Sequence, residues 1–373
     1  MKIAIDVSRI ANEKAGVGRY TANLVKTLID KDTKNEYLLL CSFFRGDEEK
    51  RKIMSAYQRP NVKIKYLKLP GKFKESLWHS KLPLVERFLG DADVYLAPTF
   101  LDVISNLKIP QAVVIHDLST FKYPEHLGKK QADYFNRQTR KAVKLAKKII
   151  AISENTEKDL LEILKVPEQK IEVIYPGQSK FAEISPNLPA GLKEQSYVLY
   201  VGTVEPRKNL IGLFEAYALL APTLQEKYPL VVVGAQGWNT GDTYRVFSAL
   251  KLENKVKFLG YQPDKMLAKL YKEAAVFCYP SLYEGFGIPV LEAMEFSLPV
   301  VTSNISSLPE VAGEAAVLVD PSSSRSISEA LQRLLEHKDE AEVLGKKAKI
   351  QAQKFDWQKT AQKVSKMLES LVK

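Results

Sequence analysis

Two glutamates in the stretch PSLYEGFGIPVLE, Glu284 and Glu292, lie eight positions apart on either side of a Gly-Phe-Gly turn. The apolar run AAVFCYPS before them predicts a buried strand, and Pro289 opens a helical pattern. Backbone N–H groups converge where a glycine loop meets a helix N-terminus, and the helix dipole favours an anion there. Glu292 falls one turn into the helix, where a carboxylate can accept hydrogen bonds from a ribose diol. The pattern predicts a nucleotide-diphosphate site; the alternative is a tight turn with solvent-facing glutamates.

A basic pair follows another apolar run, in the segment YVGTVEPRKN. Arg207 and Lys208 precede a helical pattern, for which Asn209 is a good N-cap. The guanidinium is a planar fork for phosphate oxygens, and the ammonium is a mobile point charge. The pair can neutralise a diphosphate leaving group as its charge develops. The alternative is a solvent-facing basic turn.

Two further features carry less information. Gly16 and Gly18 form a glycine loop after the first strand, without the third glycine of a dinucleotide fingerprint. This loop either closes over phosphates or is a plain strand-to-helix turn. His116 ends the strand pattern VVIHDL. It is either a structural residue or a neutral imidazole that hydrogen-bonds a substrate hydroxyl.

The glutamate pattern resembles the E-x7-E signature of a large family of retaining glycosyltransferases, which contains sucrose synthases and bacterial mannosyltransferases. Further similar fragments follow in the family's order from Ile3 to Asp320, among them ISENTEKDL and SSLPEVAGEAAVLVDP. One departure is VIYPGQ, in which Pro176-Gly177 replaces the Asn-Gly pair of many members. The resemblance therefore covers nearly the whole chain.

This resemblance implies roles for particular residues. His116 would contact the transferred sugar or orient the acceptor, and the loop at Gly16 and Gly18 would close onto the donor diphosphate and the acceptor. Glu284 would lie near the sugar, and Glu292 on the ribose. The implied donor site comprises Arg207, Lys208, Glu284, Phe286, Gly287, Ile288 and Glu292.

Apolar runs alternate with helical patterns along the chain, which predicts an α/β protein with parallel sheets covered on both faces. A Pro/Gly/Ser/Asn-rich linker at about 179–195 separates two such series. We therefore expect two Rossmann-like domains, residues 1–180 for the acceptor and 190–355 for the nucleotide sugar. The resemblance implies the GT-B fold, in which the domains face each other across a cleft and the last helix, about 356–373, packs back on the first.

Composition indicates a globular protein and argues against metal-binding and membrane-spanning proteins. The chain has 373 residues, with 45% hydrophobic and 27% charged residues, as in globular proteins. Cys41 and Cys278 lie in apolar runs, which predicts buried free thiols, and no Cys or His spacing suggests a metal site. Asp91-Ala-Asp93 is interpreted as a helix-to-strand turn, so neither metal nor cofactor is expected. No apolar run is long enough to span a membrane, and a cytoplasmic location is predicted.

The positive charge lies in the first half of the chain. Residues 1–180 contain 33 Lys and Arg against 22 Asp and Glu, whereas the rest is balanced. Such a field attracts nucleic acid or an anionic membrane. The segment 71–90 places Phe73, Trp78 and several leucines among Lys72, Lys74 and Lys81. This predicts peripheral binding at the inner membrane face; the alternative is a core-packing element.

Together these features predict a retaining, metal-independent hexosyltransferase that uses a nucleoside-diphosphate sugar and a glycan or lipid-linked acceptor in surface polysaccharide or glycolipid synthesis. Similarity favours GDP-mannose, with UDP-glucose or a UDP-N-acetylhexosamine next. The alternatives are a GT-B sugar-nucleotide epimerase or a phosphorylase. The alternative that is not an enzyme is a basic nucleic-acid-binding protein. The chain lacks the motifs of that class, so no nucleic-acid partner is expected.

Overall fold

Near-continuous apolar runs form the strands of two parallel sheets, as expected for sheets covered on both faces. The structure is a computed structural model that describes residues 1–12, 16–80, 85–179, 181 and 183–372. The strands are β1 (Lys2–Asp6), β2 (Glu36–Ser42), β3 (Val62–Leu67), β4 (Val94–Ala97), β5 (Gln111–Ile115), β6 (Lys148–Ala151), β7 (Ile171–Val173), β8 (Val198–Val201), β9 (Leu230–Val233), β10 (Val256–Gly260), β11 (Val276–Tyr279), β12 (Val300–Ser303) and β13 (Val317–Val319).

Helices connect most of these strands, and short 3₁₀ turns occur at Phe100–Asp102, Glu168–Lys170 and Pro206–Lys208. The helices are α1 (Ser8–Asn12), α2 (Val17–Lys31), α3 (Asp47–Ser55), α4 (Gly71–Trp78), α5 (Glu86–Leu89), α6 (Ser119–Lys122), α7 (Pro124–Leu127), α8 (Lys129–Leu145), α9 (Glu154–Leu164), α10 (Leu210–Ala218), α11 (Pro222–Lys227), α12 (Gly241–Ala249), α13 (Asp264–Glu273), α14 (Ile288–Glu295), α15 (Leu308–Ala312), α16 (Ser324–Glu336), α17 (Lys338–Ala352) and α18 (Trp357–Val372).

The chain divides into two compact units. The first comprises Met1–Phe121, Asp133–Gly177 and Asp356–Lys373, and the second comprises Lys122–Ala132 and Gln178–Phe355. The first sheet has seven strands in the order β3-β2-β1-β4-β5-β6-β7. Strand order reverses between β1 and β4, and the carboxyl ends of strands at such a switch point are where α/β sheets bind ligands.

Helix packing in the first unit follows the apolar spacing of the sequence. Tyr20, Leu24 and Leu28 recur every four residues along α2 and are buried. The helix α18 packs against α2, with Val364 and Leu368 buried. The last helix of the chain therefore completes the core of the first unit.

The second unit repeats the architecture with six strands in the order β10-β9-β8-β11-β12-β13. Its switch point lies between β8 and β11, which pair in parallel. The turns after β8 and β9 approach closely, because a Cβ at Gly234 would lie 2.0 Å from the carbonyl oxygen of Gly202. The loop that follows β11 joins the same edge, since the Leu282 N–H donates to the Arg207 carbonyl oxygen at 2.9 Å.

The structure settles two local patterns of the sequence and adds one short helix. The basic helical pattern in the sequence from about 125 to 148 is divided into α7 and α8 at Gly128, whose φ of 92° is not helical, and the second helix ends at Leu145. The predicted free thiols Cys41 and Cys278 are buried and unpaired. The connection before Gly16 contains the short helix α1, which the sequence analysis missed.

The segment 71–90 belongs largely to the core. Trp78, Val85 and Leu89 are buried, and Lys74 is buried as well, so the core-packing alternative is confirmed for these residues. Phe73 remains 58% exposed. Positions 81–84, with Lys81, lie outside the described residues. Among the helices that the structure describes, none is long and apolar enough to cross a bilayer.

Candidate functional site

The turn after β8 presents the basic pair of the second unit. Pro206–Lys208 forms a 3₁₀ turn, and Asn209 then caps α10, accepting a hydrogen bond at 3.2 Å from the Gly212 N–H as the sequence predicts. The Asn209 amide also donates to the carbonyl oxygens of Pro280 and Pro321, at 3.0 and 2.7 Å. The cap therefore ties the basic turn to the loop that follows β11.

That loop carries Glu284, which pairs with both cations. Arg207 Nη1 lies 3.0 Å from Glu284 Oε2, and Lys208 Nζ lies 2.7 Å from Oε1. Arg207 Nη2 also lies 2.7 Å from Glu205 Oε1. Hydroxyls complete the shell of Glu284, since Ser281 and Tyr279 donate to Oε1 at 2.6 and 2.9 Å. The structure thus brings Glu284 together with Arg207 and Lys208, which lie 77 and 76 positions earlier in the sequence.

Burial and pairing set the charges of this cluster. Burial alone would raise the pKa of the Glu284 carboxyl, but Arg207 and Lys208 outweigh it and lower that pKa to about 2. Burial lowers the pKa of the Lys208 ammonium, with the Arg207 charge acting in the same direction and Glu284 opposing both. Glu284 is therefore an ionised acceptor near neutral pH, held between two cationic groups.

The glycine turn at Phe286, Gly287 and Ile288 leads directly into α14. Gly287 adopts a φ of 112°, which favours glycine, and a Cβ there would lie 2.7 Å from Leu308 Cδ2, so that the leucine side chain would have to shift. Ser307 donates to the carbonyl oxygens of Glu284 and Phe286, at 3.0 and 2.8 Å. The Phe286 ring packs edge-on against Phe355, with centroids 5.3 Å apart. These contacts fix the backbone at the helix N-terminus.

Glu292 lies one turn into α14 and is 2% exposed. Ser179 donates to its Oε1 at 2.8 Å, and Tyr271 donates to its Oε2 at 3.0 Å. The two hydroxyls orient the carboxylate. A ribose contact would add to these hydrogen bonds, and that role stays a prediction.

The remaining predicted residues belong to the first unit. Gly16 precedes α2 with a φ of 56°, and Gly18 is buried in its first turn. His116 Nε2 lies 2.9 Å from the Pro98 carbonyl oxygen, so this nitrogen carries the hydrogen and donates. Burial lowers the pKa of the His116 imidazole, which favours the neutral form. Tyr20 packs edge-on against that ring, with centroids 4.8 Å apart.

Comparison with known proteins identifies the family. The model of Glycosyltransferase Family 4 matches residues 15–178, and that of Glycosyl transferases group 1 matches residues 187–351. O-antigen chain mannosyltransferase B of Escherichia coli is 35% identical over 261 residues, which cover 67% of this chain and 68% of that protein. The chain belongs to glycosyltransferase family 4. It also matches the serotype-specific mannosyltransferase WbdA of Escherichia coli, at 26% identity over 97% of this chain but 47% of WbdA.

Solved structures show the fold of this glycosyltransferase. Sucrose-phosphate synthase from Thermosynechococcus elongatus superposes with a TM-score of 0.78 at 21% identity, covering 100% of this chain and 99% of that one. Anabaena HepE in complex with UDP-glucose gives 0.73 at 19% identity, covering 99% and 100%. The predicted α/β GT-B fold with two Rossmann-like domains is confirmed. The matches do not favour an epimerase, a phosphorylase or a nucleic-acid-binding protein.

Several residues of the glycosyltransferase site were missed by sequence reasoning. Glu205 lies two positions before Arg207, and its place beside a basic pair was a usable signal. Tyr279 ends β11, and Ser281 lies in the loop before Glu284. A hydroxyl side chain at either position has no distinctive sequence pattern. Ser179 and Glu292 are 113 positions apart, and only the fold joins them.

Proposed function

We propose that this glycosyltransferase moves a mannosyl group, with retention of configuration and without a metal, from GDP-mannose to a hydroxyl of a glycan or lipid-linked acceptor. The observation that carries the proposal is the cluster of Arg207, Lys208 and Glu284 at the switch point of the second sheet. Ligands bind at the carboxyl ends of parallel strands at such a point. Two clustered cations there suit the diphosphate of a nucleotide sugar.

The basic pair supplies the charge stabilisation that the leaving group needs. When the bond between the sugar C1 and the phosphate oxygen breaks, negative charge develops on the diphosphate. Arg207 and Lys208 are held beside the loop that follows β11, where Arg207 donates to the Tyr283 carbonyl oxygen. The N-terminus of α14 adds backbone N–H groups. Removing one such donor typically slows catalysis about 10²- to 10³-fold. These groups take the role that a metal ion has in other transferases.

The environment of Glu284 supports retention by attack on the same face. Its carboxylate accepts hydrogen bonds from Arg207, Lys208, Ser281 and Tyr279, which withdraws electron density from a nucleophile. We therefore assign Glu284 to electrostatic support of the sugar rather than to a covalent intermediate. The acceptor oxygen bonds to C1 as the phosphate leaves, and the leaving phosphate oxygen takes the acceptor proton.

The donor and the location rest on different grounds. Mannose and surface polysaccharide synthesis are suggested by the name of O-antigen chain mannosyltransferase B. GDP is the nucleotide that the family resemblance favours. The UDP-glucose bound to HepE makes that donor the main competitor. We place the enzyme in the cytoplasm at the inner membrane face, because the basic charge of residues 1–180 favours anionic headgroups.

Calorimetric titration of the protein with GDP-mannose, GDP, UDP-glucose and UDP, each with and without EDTA, tests the donor. We expect the guanine ligands to bind most tightly and EDTA to have no effect. Arg207→Ala and Lys208→Ala should each lower kcat/KM at least about 10²-fold in transfer to a mannose-terminated oligosaccharide. The anomeric configuration of the product, read by NMR, tests retention.

The matched control is Lys251→Ala, at an exposed lysine of the same unit. Near-normal turnover by both basic-pair variants would contradict the proposed phosphate site. Tighter binding of UDP-glucose than of GDP-mannose would replace the donor while leaving the transferase assignment unchanged.

A further inference from the structure

A pocket of about 450 Å³ lies in the first unit, between the C-terminal end of α2 and one face of α18. The turn that leads from α2 into β2 forms its third side, so the pocket opens at the amino-terminal edge of the first sheet. Its volume lies within the usual range of small-molecule sites, about 300–1,000 Å³. Its described lining contains none of the predicted site residues, and the donor cluster belongs to the other unit.

The turn of residues 32–35 is a rigid floor for this pocket. Asp32 Oδ1 accepts hydrogen bonds from the N–H groups of Lys34 and Asn35, at 2.8 and 3.1 Å. Its Oδ2 accepts from the Asn35 amide at 2.6 Å and from the Tyr37 hydroxyl at 2.7 Å. Burial raises the pKa of the Asp32 carboxyl, but the hydrogen bonds from Asn35 and Tyr37 outweigh it, and that pKa lies below its ordinary value. Asp32 is thus an ionised carboxylate whose acceptor positions are used within the turn.

Three lysines of the pocket wall have no carboxylate partner. Lys31, Lys34 and Lys366 line the pocket, and all three are exposed. No ion pair joins any of them to the part of the chain that the structure describes. Apart from Asp32, only Glu369 contributes a carboxylate to the described lining. The free positive charge therefore exceeds the free negative charge, which favours an anionic ligand.

Neutral polar groups cover much of the remaining wall. Gln358 and Gln362 lie one turn apart on α18 and are exposed, and Thr33 is exposed in the turn before β2. Amide and hydroxyl groups both donate and accept hydrogen bonds, as the hydroxyls of a polyol do. The apolar residues of the described lining, Leu28 and Ala361, are buried. A bilayer anchor needs exposed apolar side chains, so this composition favours a soluble ligand over a lipid headgroup.

We propose that this pocket binds a soluble phosphate monoester of a sugar or polyol. Its phosphate is placed on Lys31, Lys34 and Lys366, and its hydroxyls on Gln358 and Gln362. A phosphate monoester carries about 1.5 to 2 negative charges at neutral pH, which suits three ammonium groups beside one exposed carboxylate. The site goes beyond the proposed function, because its ligand is neither the donor nor the acceptor.

The two helices that line the pocket also meet at its far side. Helix α2 begins directly after Gly16, and α18 begins at Trp357. Tyr20 packs against the Trp357 ring with centroids 5.4 Å apart, and against the His116 ring at 4.8 Å. A ligand held between α2 and α18 therefore joins two elements that support His116 and the loop at Gly16. Because a ligand that binds only the folded state stabilises it, occupancy should raise the melting temperature.

Calorimetric titration with mannose 6-phosphate and glucose 6-phosphate tests the site, with mannose and inorganic phosphate as comparison ligands. We expect at least one sugar phosphate to bind at a single site, more tightly than inorganic phosphate or the free sugar. Added salt should weaken this binding, because the lysines are exposed. The same affinity is expected when GDP is present at saturation. Displacement of the sugar phosphate by GDP would overturn the inference, since the ligand would then occupy the donor site.

The triple variant Lys31→Gln/Lys34→Gln/Lys366→Gln should bind the sugar phosphate at least about 10-fold more weakly, since each exposed ion pair contributes up to about 5-fold. The matched control is Lys52→Gln/Lys359→Gln/Lys363→Gln, at three exposed lysines of the same unit that do not line the pocket. An equal loss in this control would show attraction to a general basic surface and overturn the site.

Two further outcomes separate the alternatives. Phosphatidylglycerol vesicles that displace the sugar phosphate would overturn the soluble ligand and assign the lysines to a lipid headgroup. Sugar-phosphate binding that is lost in the triple variant, in a protein that binds no nucleotide, would support this pocket and count against the donor proposal alone.

Discussion

The two glutamates of the second unit differ in their partners. Glu284 pairs with Arg207 and Lys208, whereas Glu292 accepts hydrogen bonds from the neutral hydroxyls of Ser179 and Tyr271. Both side chains are buried, at 6% and 2% exposure. Their substitution should therefore disturb different steps of catalysis.

Glu292→Gln should mainly weaken nucleotide binding, because a contact with the ribose is made equally in the ground state and the transition state. On the proposed function the Glu284 carboxylate supports the developing positive charge of the sugar, so Glu284→Gln should instead lower kcat. Calorimetry with GDP and steady-state kinetics separate the two effects. An unchanged GDP affinity in the Glu292 variant would rule out the ribose role.

The acid stability of the second unit should depend on Glu284. Its pKa is lowered from 4.5 to about 2, so the stability it contributes is complete above pH 4.5 and is lost as pH falls toward 2. Glu284→Gln removes the carboxylate that Arg207 and Lys208 share, and should destabilise the protein by about 3 kcal/mol at pH 7. The difference from wild type should shrink below pH 4.5.

Urea unfolding between pH 3 and pH 7 measures this difference. The exposed Glu253→Gln controls for the loss of one carboxylate in the same unit. A difference between wild type and the Glu284 variant that stays constant across this range would contradict the ion-pair account.

At the scale of residues, spacing and side-chain chemistry were enough to predict that Arg207, Lys208 and Glu284 lie together, although Glu205 was missed. Arg207, Lys208 and Glu284 follow apolar strands, and parallel strands end at a common edge. The hydroxyl partners were not predictable, because serine and tyrosine satisfy buried groups throughout proteins.

At the scale of elements, the turn into α14 is the most constrained part of the site. Gly287→Ala would place a side chain at a φ of 112° and 2.7 Å from Leu308. Strain of this kind costs about 1–3 kcal/mol, and relief would shift the helix N-terminus. We expect a lower melting temperature and weaker nucleotide binding.

Thermal unfolding and calorimetry check both parts of this expectation. Gly241→Ala is the matched control, because a Cβ there would have no neighbour within 4 Å and the φ of Gly241 lies outside the left-handed region. A Gly287 variant as stable as this control would show that the turn tolerates a side chain.

Most elements were predictable because continuous apolar runs and amphipathic periodicity are strong local patterns. Three parts of the chain differ from the local patterns, each for its own reason. Gly128 divides the basic helical run into α7 and α8, and its preference for a positive φ is invisible to periodicity. The short α1 was missed because its five residues lack a full helical repeat. In segment 71–90, composition indicated a surface, but tertiary packing buries Trp78.

At the scale of the molecule, the basic charge of residues 1–180 predicts an encounter with anionic lipid. Because Lys74 is committed to Asp6 and Asp102, Lys72 and the exposed Phe73 are the better candidates on α4. Each lysine near such a surface contributes about 1 kcal/mol, roughly 5-fold in binding. We expect salt-sensitive binding to anionic vesicles and little to neutral ones.

Co-sedimentation of wild type beside Lys72→Glu/Phe73→Ser measures this effect. Lys251→Glu, at an exposed lysine of the second unit, controls for charge alone. Equal recovery of the three proteins with anionic vesicles would exclude this face of α4 as the anchor.

The pairing of Glu284 with Arg207 and Lys208 also has a kinetic consequence. On the proposed function, an arriving diphosphate must displace a carboxylate that already occupies both cations. The same carboxylate stays attached to the loop after transfer, at a high effective concentration. It therefore competes with the nucleoside diphosphate product for the two cations, which speeds release of the product and restores the ion pairs of the unliganded enzyme. An enzyme that bound its donor through unopposed cations would instead be inhibited by its own product.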